Sequence, residues 1–233
     1  MRLSTFTKTF LLMPSLSLCL NVSAADREHD FKRGTSGTHG NQRSERPGQV
    51  GHGREAYAGS GCPAGTMRVV FAPDNLSFTM LFDQFIAKVD PVKKVNRDQM
   101  NCDAVIPVTI PNGMQMEITN VDFRGFVALP ANSRARLHSM FNFSGGGGGK
   151  DRINMKYDFQ GPLMEDYQIS SDTVESNGRA ADSEVSPCGG QADLRVSTKL
   201  MLVSKGPDQA SLTLDSIDGS AHAVYYVNWR TCR

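Results

Sequence analysis

In ADLRVSTKLMLVS, residues 192–204, Leu194, Val196, Thr198, Leu200 and Leu202 occupy every second position. A period of two belongs to a strand with one face buried, whereas a helix would return its apolar residues every three or four. RARLHSMFNF repeats the pattern, with Ala135, Leu137, Ser139, Phe141 and Phe143 on one side and Arg136, His138, Met140 and Asn142 on the other. INMKYDF sends Ile153, Met155, Tyr157 and Phe159 to one face. LSFTMLFDQF does the same with Leu76, Phe78, Met80 and Phe82, while Leu81 and Phe85 break strict alternation.

TMRVVFAP, CDAVIPVTI, MQMEITNVDFRGFVAL, ASLTLDSIDG and AHAVYYVNWRTC bring the total to about eight or nine strand candidates, punctuated by Gly, Pro, Asn and Asp. Pro111-Asn112-Gly113 carries an Asn-Gly pair, the strongest short-range signal for a hairpin. No segment shows helical periodicity. That many half-buried strands predict an all-β fold, a two-sheet antiparallel β-sandwich, of which a jelly-roll is one form. The tract 171–190 reads as a long polar surface loop, and Gly145–Gly149 as a mobile one.

The N-terminus sets the compartment. Arg2 and Lys8 precede the short apolar run TFLLMPSLSLCLNV, and Ser23, Ala24 and Ala25 follow it, which is the pattern of a secretory signal peptide over residues 1–24. The run is too short for a membrane span, and no later segment approaches about 18 continuous apolar residues, so no membrane insertion is expected. Residues 25–57 are rich in Gly, Arg, His, Ser and Gln, with too little apolar surface to offset ordering entropy, and read as a disordered polar linker. Its His29, His39 and His52 are spread too far apart for a metal site. The sandwich is expected over 58–233. A formal charge of +1 gives no bulk pull toward nucleic acid.

Removal of the leader leaves Cys62, Cys102, Cys188 and Cys232. In an exported protein an even set reads as disulfides, and four cysteines allow three connectivities. Pairing of chain neighbours, Cys62–Cys102 and Cys188–Cys232, is preferred. Zinc is disfavoured because no close Cys pair exists, and neither a metal nor another cofactor is expected.

Candidate chemistry is sparse. His138 and His222 lie in strands with no nucleophile elbow beside them. Asp83 in LFDQF and Asp122 in VDFRG sit among aromatics, where burial raises a carboxyl toward general-acid use; the plainer reading pairs either with Arg124. Asp208, Asp215 and Asp218 loosely resemble a calcium turn but lack EF-hand spacing, and Asp218-Gly219 suits a simple turn. Tyr225, Tyr226 and Trp229, with Tyr157 and Tyr167, could form a sugar-stacking platform, although alternation puts Tyr225, Val227 and Trp229 on one face and Tyr226 on the other. Asn75 and Asn142 stand in N-x-S sequons, glycosylation acceptors in a host that glycosylates.

GSGCPAGT, LFDQF with Cys102 downstream, VDFRGF, SPCG, LDSIDG and the terminal W-R-x-C resemble a family of small secreted proteins known only as domain of unknown function 4360, over about residues 58–232. The resemblance implies an extracytoplasmic, cysteine-bearing, β-rich domain and brings no reaction with it. The functional expectation is a non-catalytic extracellular module that binds a glycan or a protein. The alternative is a secreted, carboxylate-dependent hydrolase acting on glycans through Asp83 and Asp122.

Overall fold

The computed structural model describes residues 55–145, 152–173, 185–214 and 222–232. The leader, the histidines of the linker, Asp215 and Asp218 lie outside the described residues. Among the described residues twelve strands form: β1 (Ala56–Ala58), β2 (Met67–Phe71), β3 (Ser77–Phe82), β4 (Ile86–Val89), β5 (Arg97–Ile110), β6 (Met114–Leu129), β7 (Ser133–Phe143), β8 (Ile153–Gln160), β9 (Leu163–Asp172), β10 (Gly190–Ser204), β11 (Ala210–Thr213) and β12 (His222–Thr231). One sheet has the order β1-β5-β10-β7-β8; the other runs β2-β3-β12-β6-β11-β4, with β9 also paired to β6. All strand pairs are antiparallel. The expected sandwich is therefore what the chain forms.

Alternation decides which side chains meet between the sheets. On β7 the residues Ala135, Leu137, Ser139, Phe141 and Phe143 are buried, and on β10 Leu194, Val196, Thr198, Leu200 and Leu202. Phe78 and Tyr225 stack at 4.7 Å within one sheet, and Phe141 of the other meets the Tyr225 ring edge-on at 6.0 Å. This edge contact uses the ring quadrupole and joins the two layers. Leu76 departs from its expected face: it precedes β3 at the margin of the sandwich and is 50% exposed.

The two disulfides are Cys62–Cys102 and Cys188–Cys232. Cys62 fastens. The Gly61 amide donates to the Asn101 carbonyl, and a Cβ on Gly59 would stand 2.0 Å from that same oxygen. Only glycine lets the turn lie this close to β5, where the disulfide then holds it. Ala56 and Tyr57, read as the end of the linker, already belong to β1, paired with β5.

The Asn112-Gly113 turn forms, with Gly113 at φ +76 and the Met114 amide bonded to the Pro111 carbonyl. It does not close a hairpin, because β5 and β6 belong to opposite sheets. The turn carries the chain across the sandwich, and the second disulfide docks on it: Cys232 and Gly189 amides donate to the carbonyls of Gly113 and Met114. The tract 171–190 likewise differs from a plain loop, since Ser171 and Asp172 end β9 and Val185 bridges to Glu117.

Candidate functional site

β12 turns Tyr225 and Val227 inward and Tyr226 outward, leaving Tyr226 41% exposed on the face of its sheet that looks away from the core. Across the sheet, Tyr226 stands opposite Ser77 of β3 and Asn120 of β6, and Asn120 stands opposite Asp172 of β9. One step along, Asp122 faces Val224 on one side and Ser170 on the other. Just below, the register slips: Tyr226 pairs with Asn120 but Val227 with Ile118, so Thr119 is extruded as a β-bulge. The bulge changes which parity of β6 faces the core. Val121 and Phe123 point inward above it, Met116 and Ile118 below it, and all four are fully buried.

The outward residues form one hydrogen-bonded patch. Ser170 Oγ donates to Asp122 Oδ1, and the Tyr226 hydroxyl donates to Asp122 Oδ2 at 3.2 Å. Asn120 Nδ2 donates to Asp172 Oδ1 at 2.8 Å and lies 3.3 Å from Ser170 Oγ. Asp122 is 9% exposed, so its two donors are what make burial of a carboxylate tolerable. Partial burial, and then the negative charge of Asp122, push the Tyr226 phenol above its ordinary value, with Arg124 opposing. Tyr226 therefore stays a neutral donor with a fixed ring. Farther along β12, Asn228 Nδ2 and Arg230 Nη1 each reach Glu117 at 3.4 Å. The arrangement is a polar, acceptor-rich face that displays the Tyr226 ring, with the half-buried Phe126 farther along the same outward row of β6.

The chain matches, over residues 54–232, the family described as Domain of unknown function (DUF4360). It belongs to that family. Over 177 residues this DUF4360 member is 27% identical to an uncharacterized secreted protein of Arthroderma benhamiae, covering 76% of this chain and 69% of that one. The protein is secreted, and its disulfides fit an extracellular location. Among solved structures it overlaps TmCBM61 in complex with β-1,4-galactotriose at 12% identity and a TM-score of 0.24, covering 72% of this chain and 96% of that one. It also overlaps the family 11 carbohydrate-binding module from Clostridium thermocellum, in complex with a β-1,3-1,4-mixed-linked tetrasaccharide, at 8% identity and a TM-score of 0.21, covering 68% and 88%.

In this DUF4360 member the carboxylates Asp83 and Asp122 do not converge. Thr79 aligns with Val224 and Val224 with Asp122, so Asp83 lies two strands over and four residues along, roughly 16 Å away by strand geometry. Glycoside hydrolysis wants about 5 to 9.5 Å between its carboxyls. Asp83 is exposed and follows β3, its amide bonded to the Thr66 carbonyl. The partner of Asp122 expected from sequence, Arg124, gives way to Ser170 and Tyr226 because β6 places Arg124 one outward position away, opposite Gln168.

The other aromatics leave the platform. Tyr167 is buried and donates to the Thr213 carbonyl at 2.6 Å; Tyr157 packs on Phe123 at 5.9 Å; Trp229 Nε1 donates to the Asn75 carbonyl at 3.0 Å. His138 lies on β7 and His222 on β12, in different sheets. Asn75 holds a turn at φ +57, whereas Asn142 sits within β7 and bonds the Phe143 carbonyl. Asp208 is exposed before β11. Among the described residues, no group of three His, Cys, Asp or Glu is placed to hold a metal ion, and no helix is long and apolar enough to cross a membrane.

Asn120, Ser170 and Asp172 are site residues that the sequence reading does not single out. One signal was present: in MQMEITNVDF the apolar residues sit at 114, 116 and 118 and then at 121 and 123, a parity change that marks the bulge and turns Asn120 and Asp122 outward together.

Proposed function

We propose that this protein is a non-catalytic extracellular glycan-binding module whose contact surface is the outer face of β12, β6 and β9. The observation that carries this reading is the exposed Tyr226 ring, held in place by a buried carboxylate that a second strand also braces. An aromatic face suits the C–H surface of a pyranose ring, and the neighbouring Asn120, Ser170 and Asp172 offer acceptors and donors to hydroxyls. A ring already fixed before binding loses little conformational entropy on contact. The separation of Asp83 and Asp122 speaks against the hydrolase alternative.

The test is pull-down of the secreted protein on a panel of insoluble β-glucans, galactans and mannans, followed by calorimetry with soluble oligosaccharides. Wild type binds at least one neutral glycan without releasing reducing ends. Tyr226→Ala lowers that affinity at least tenfold while thermal unfolding is unchanged. A blank panel, or a Tyr226→Ala protein that binds like wild type, overturns the proposal.

A further inference from the structure

The near-neutral total charge is spread unevenly over the two outer faces. The face carrying Tyr226 mixes the carboxylates Glu117, Asp122 and Asp172 with Arg124 and Arg230. On the outer face of the other sheet cations outnumber carboxylates. There Lys199 of β10, His138 of β7 and Lys156 of β8 stand abreast on three adjacent strands, each the register partner of the next. One step along, Arg136 is flanked by Met201 and Asp158, and beyond it Arg134 by Val203 and Gln160. At the opposite end Arg195 faces Asn142.

Asp158 is the counter-charge beside Arg136, while Asp193 and Asp103 stand near Arg195 at the other end. Asp158 receives Nε and Nη2 of Arg136 as a fork, and that hydrogen bonding, with Lys156 nearby, draws the Asp158 carboxyl below its usual range. Among the described residues no ion pair engages Lys199, Arg134 or Arg195. Lys199 and Lys156 flank His138 from the two neighbouring strands, and Arg134 and Arg136 follow each other on β7, so the cations cluster with few carboxylates among them. An anionic ligand complements that cluster. Beyond Arg134 the track runs into a cleft of about 680 Å³ between the β6–β7 turn, the β8–β9 turn and the end of β10, lined by Arg134, Lys205, Gln160 and Asn132.

We infer that this face binds an acidic polysaccharide, laid along β7 over Lys199, His138 and Lys156 and reaching the cleft at Arg134 and Lys205. The recognising chemistry is a repeated anion, carboxylate or sulfate, on a hydroxyl-rich chain. The positions alternating outward on β7, β8 and β10 carry no Phe, Tyr or Trp, so the face lacks the stacking platform that single-stranded nucleic acid uses. Of the most exposed apolar side chains, Val92 and Val95 lie on the connection between β4 and β5, and Val70, Leu76, Tyr226 and Met164 belong to the opposite sheet or its margin, so none stands on the outward rows of β7, β8 and β10 to insert into a bilayer. The module then grips two different chains on opposite faces. This inference is independent of the Tyr226 site.

The experiment uses the full secreted protein with polygalacturonate and dextran sulfate as probes, at about 20 and 300 mM salt, where screening differs strongly. Wild type binds one or both at low salt and loses at least tenfold in affinity at high salt. Binding to polygalacturonate alone assigns carboxylate as the anion, and to dextran sulfate alone, sulfate. Lys156→Gln/Lys199→Gln lowers affinity at least tenfold, and Arg134→Gln/Lys205→Gln lowers it severalfold. Tyr226→Ala and Lys88→Gln, on the other sheet, leave it unchanged, so failure of the neutral-glycan reading would not be mistaken for failure here. No binding to either polyanion, equal loss in the Lys88→Gln control, or tighter binding to single-stranded DNA than to both polysaccharides would overturn the assignment.

Discussion

Tyr226 and Asn120 stand opposite each other at the last register point before β6 extrudes Thr119. That single extra residue lets one strand bury Val121 and Phe123 above it and Met116 and Ile118 below it, while Asn120 and Asp122 remain on the outer face. Were Thr119 kept within the regular ladder instead, one half of β6 would present its apolar side to water.

Deleting Thr119 is therefore expected to be tolerated. It joins the inward Ile118 directly to the outward Asn120, so every side chain of β6 keeps its face, and the loss is the Thr119 carbonyl that accepts from the Thr173 amide, about 1–3 kcal/mol. Deleting Val121 instead reverses the parity of Met116 and Ile118 against Phe123 and should abolish folding. Secretion yield and urea denaturation of the two variants compare them directly; an unfolded Thr119 deletion or a folded Val121 deletion would refute the parity argument.

Tyr225 places its hydroxyl at the centre of the core, beside Ser139 and Thr198, which are 3.0 Å apart and bonded to each other. The phenol lies within range of both hydroxyls but meets neither in full hydrogen-bond geometry. Tyr225→Phe should consequently be neutral or stabilising by up to about 1 kcal/mol, since it removes an unsatisfied buried group and keeps the ring stacked on Phe78. Phe78→Ala should cost about 3–5 kcal/mol. Denaturant midpoints decide; a large loss in Tyr225→Phe would mean the hydroxyl is bonded after all.

Gly125 lies opposite Tyr167 across β6 and β9, and a Cβ there would meet the Thr213 carbonyl at 2.1 Å and the Tyr167 hydroxyl at 2.6 Å. Gly125→Ala is expected to displace Tyr167 from Thr213 and destabilise by about 1–3 kcal/mol, the usual range for overpacking. Tyr167→Phe in the Gly125→Ala background should recover part of that loss. Unfolding free energies of the single and double variants give the coupling.

Alkali should act through two of the five tyrosines. Burial pushes Tyr167 and Tyr225 well above the ordinary phenol value. Groups raised in the folded state stabilise fully below their unfolded pKa, near 10, and that contribution is lost as pH rises past it. Absorbance at the tyrosinate band should show at least two phenols that ionise only together with unfolding. Smooth titration of all five in the folded protein would contradict the burial.

Each disulfide closes a loop of about 40 residues, for which the chain-entropy model gives roughly 4 kcal/mol. Cys62→Ala/Cys102→Ala should lower stability by about 2–4 kcal/mol and release the Gly59–Gly61 turn from β5, seen as faster amide exchange at Gly61 and Asn101. Unchanged stability and exchange would show the bridge to be dispensable.

The sequence by itself determined the strand character of this chain and the inward rows of β7 and β10. These are local properties: a period of two assigns each side chain to one face whatever its partners are. For the cysteines it left three connectivities open with one preferred, and the tertiary structure decided between them. The sequence also placed the Asn112-Gly113 turn. Only the tertiary structure decided that this turn crosses between sheets, because the choice of neighbouring strand rests on pairings far away in sequence, such as β5 with β10 and β6 with β12. β9 stayed hidden for a related reason. As an edge strand with Tyr167 as its one buried residue, it carries little alternation to read, yet it brings Ser170 and Asp172 to Asp122 and Asn120 from some fifty residues away. The cationic cluster arose in the same way, since cations scattered over β7, β8 and β10 become neighbours only once hydrogen bonding sets those strands side by side.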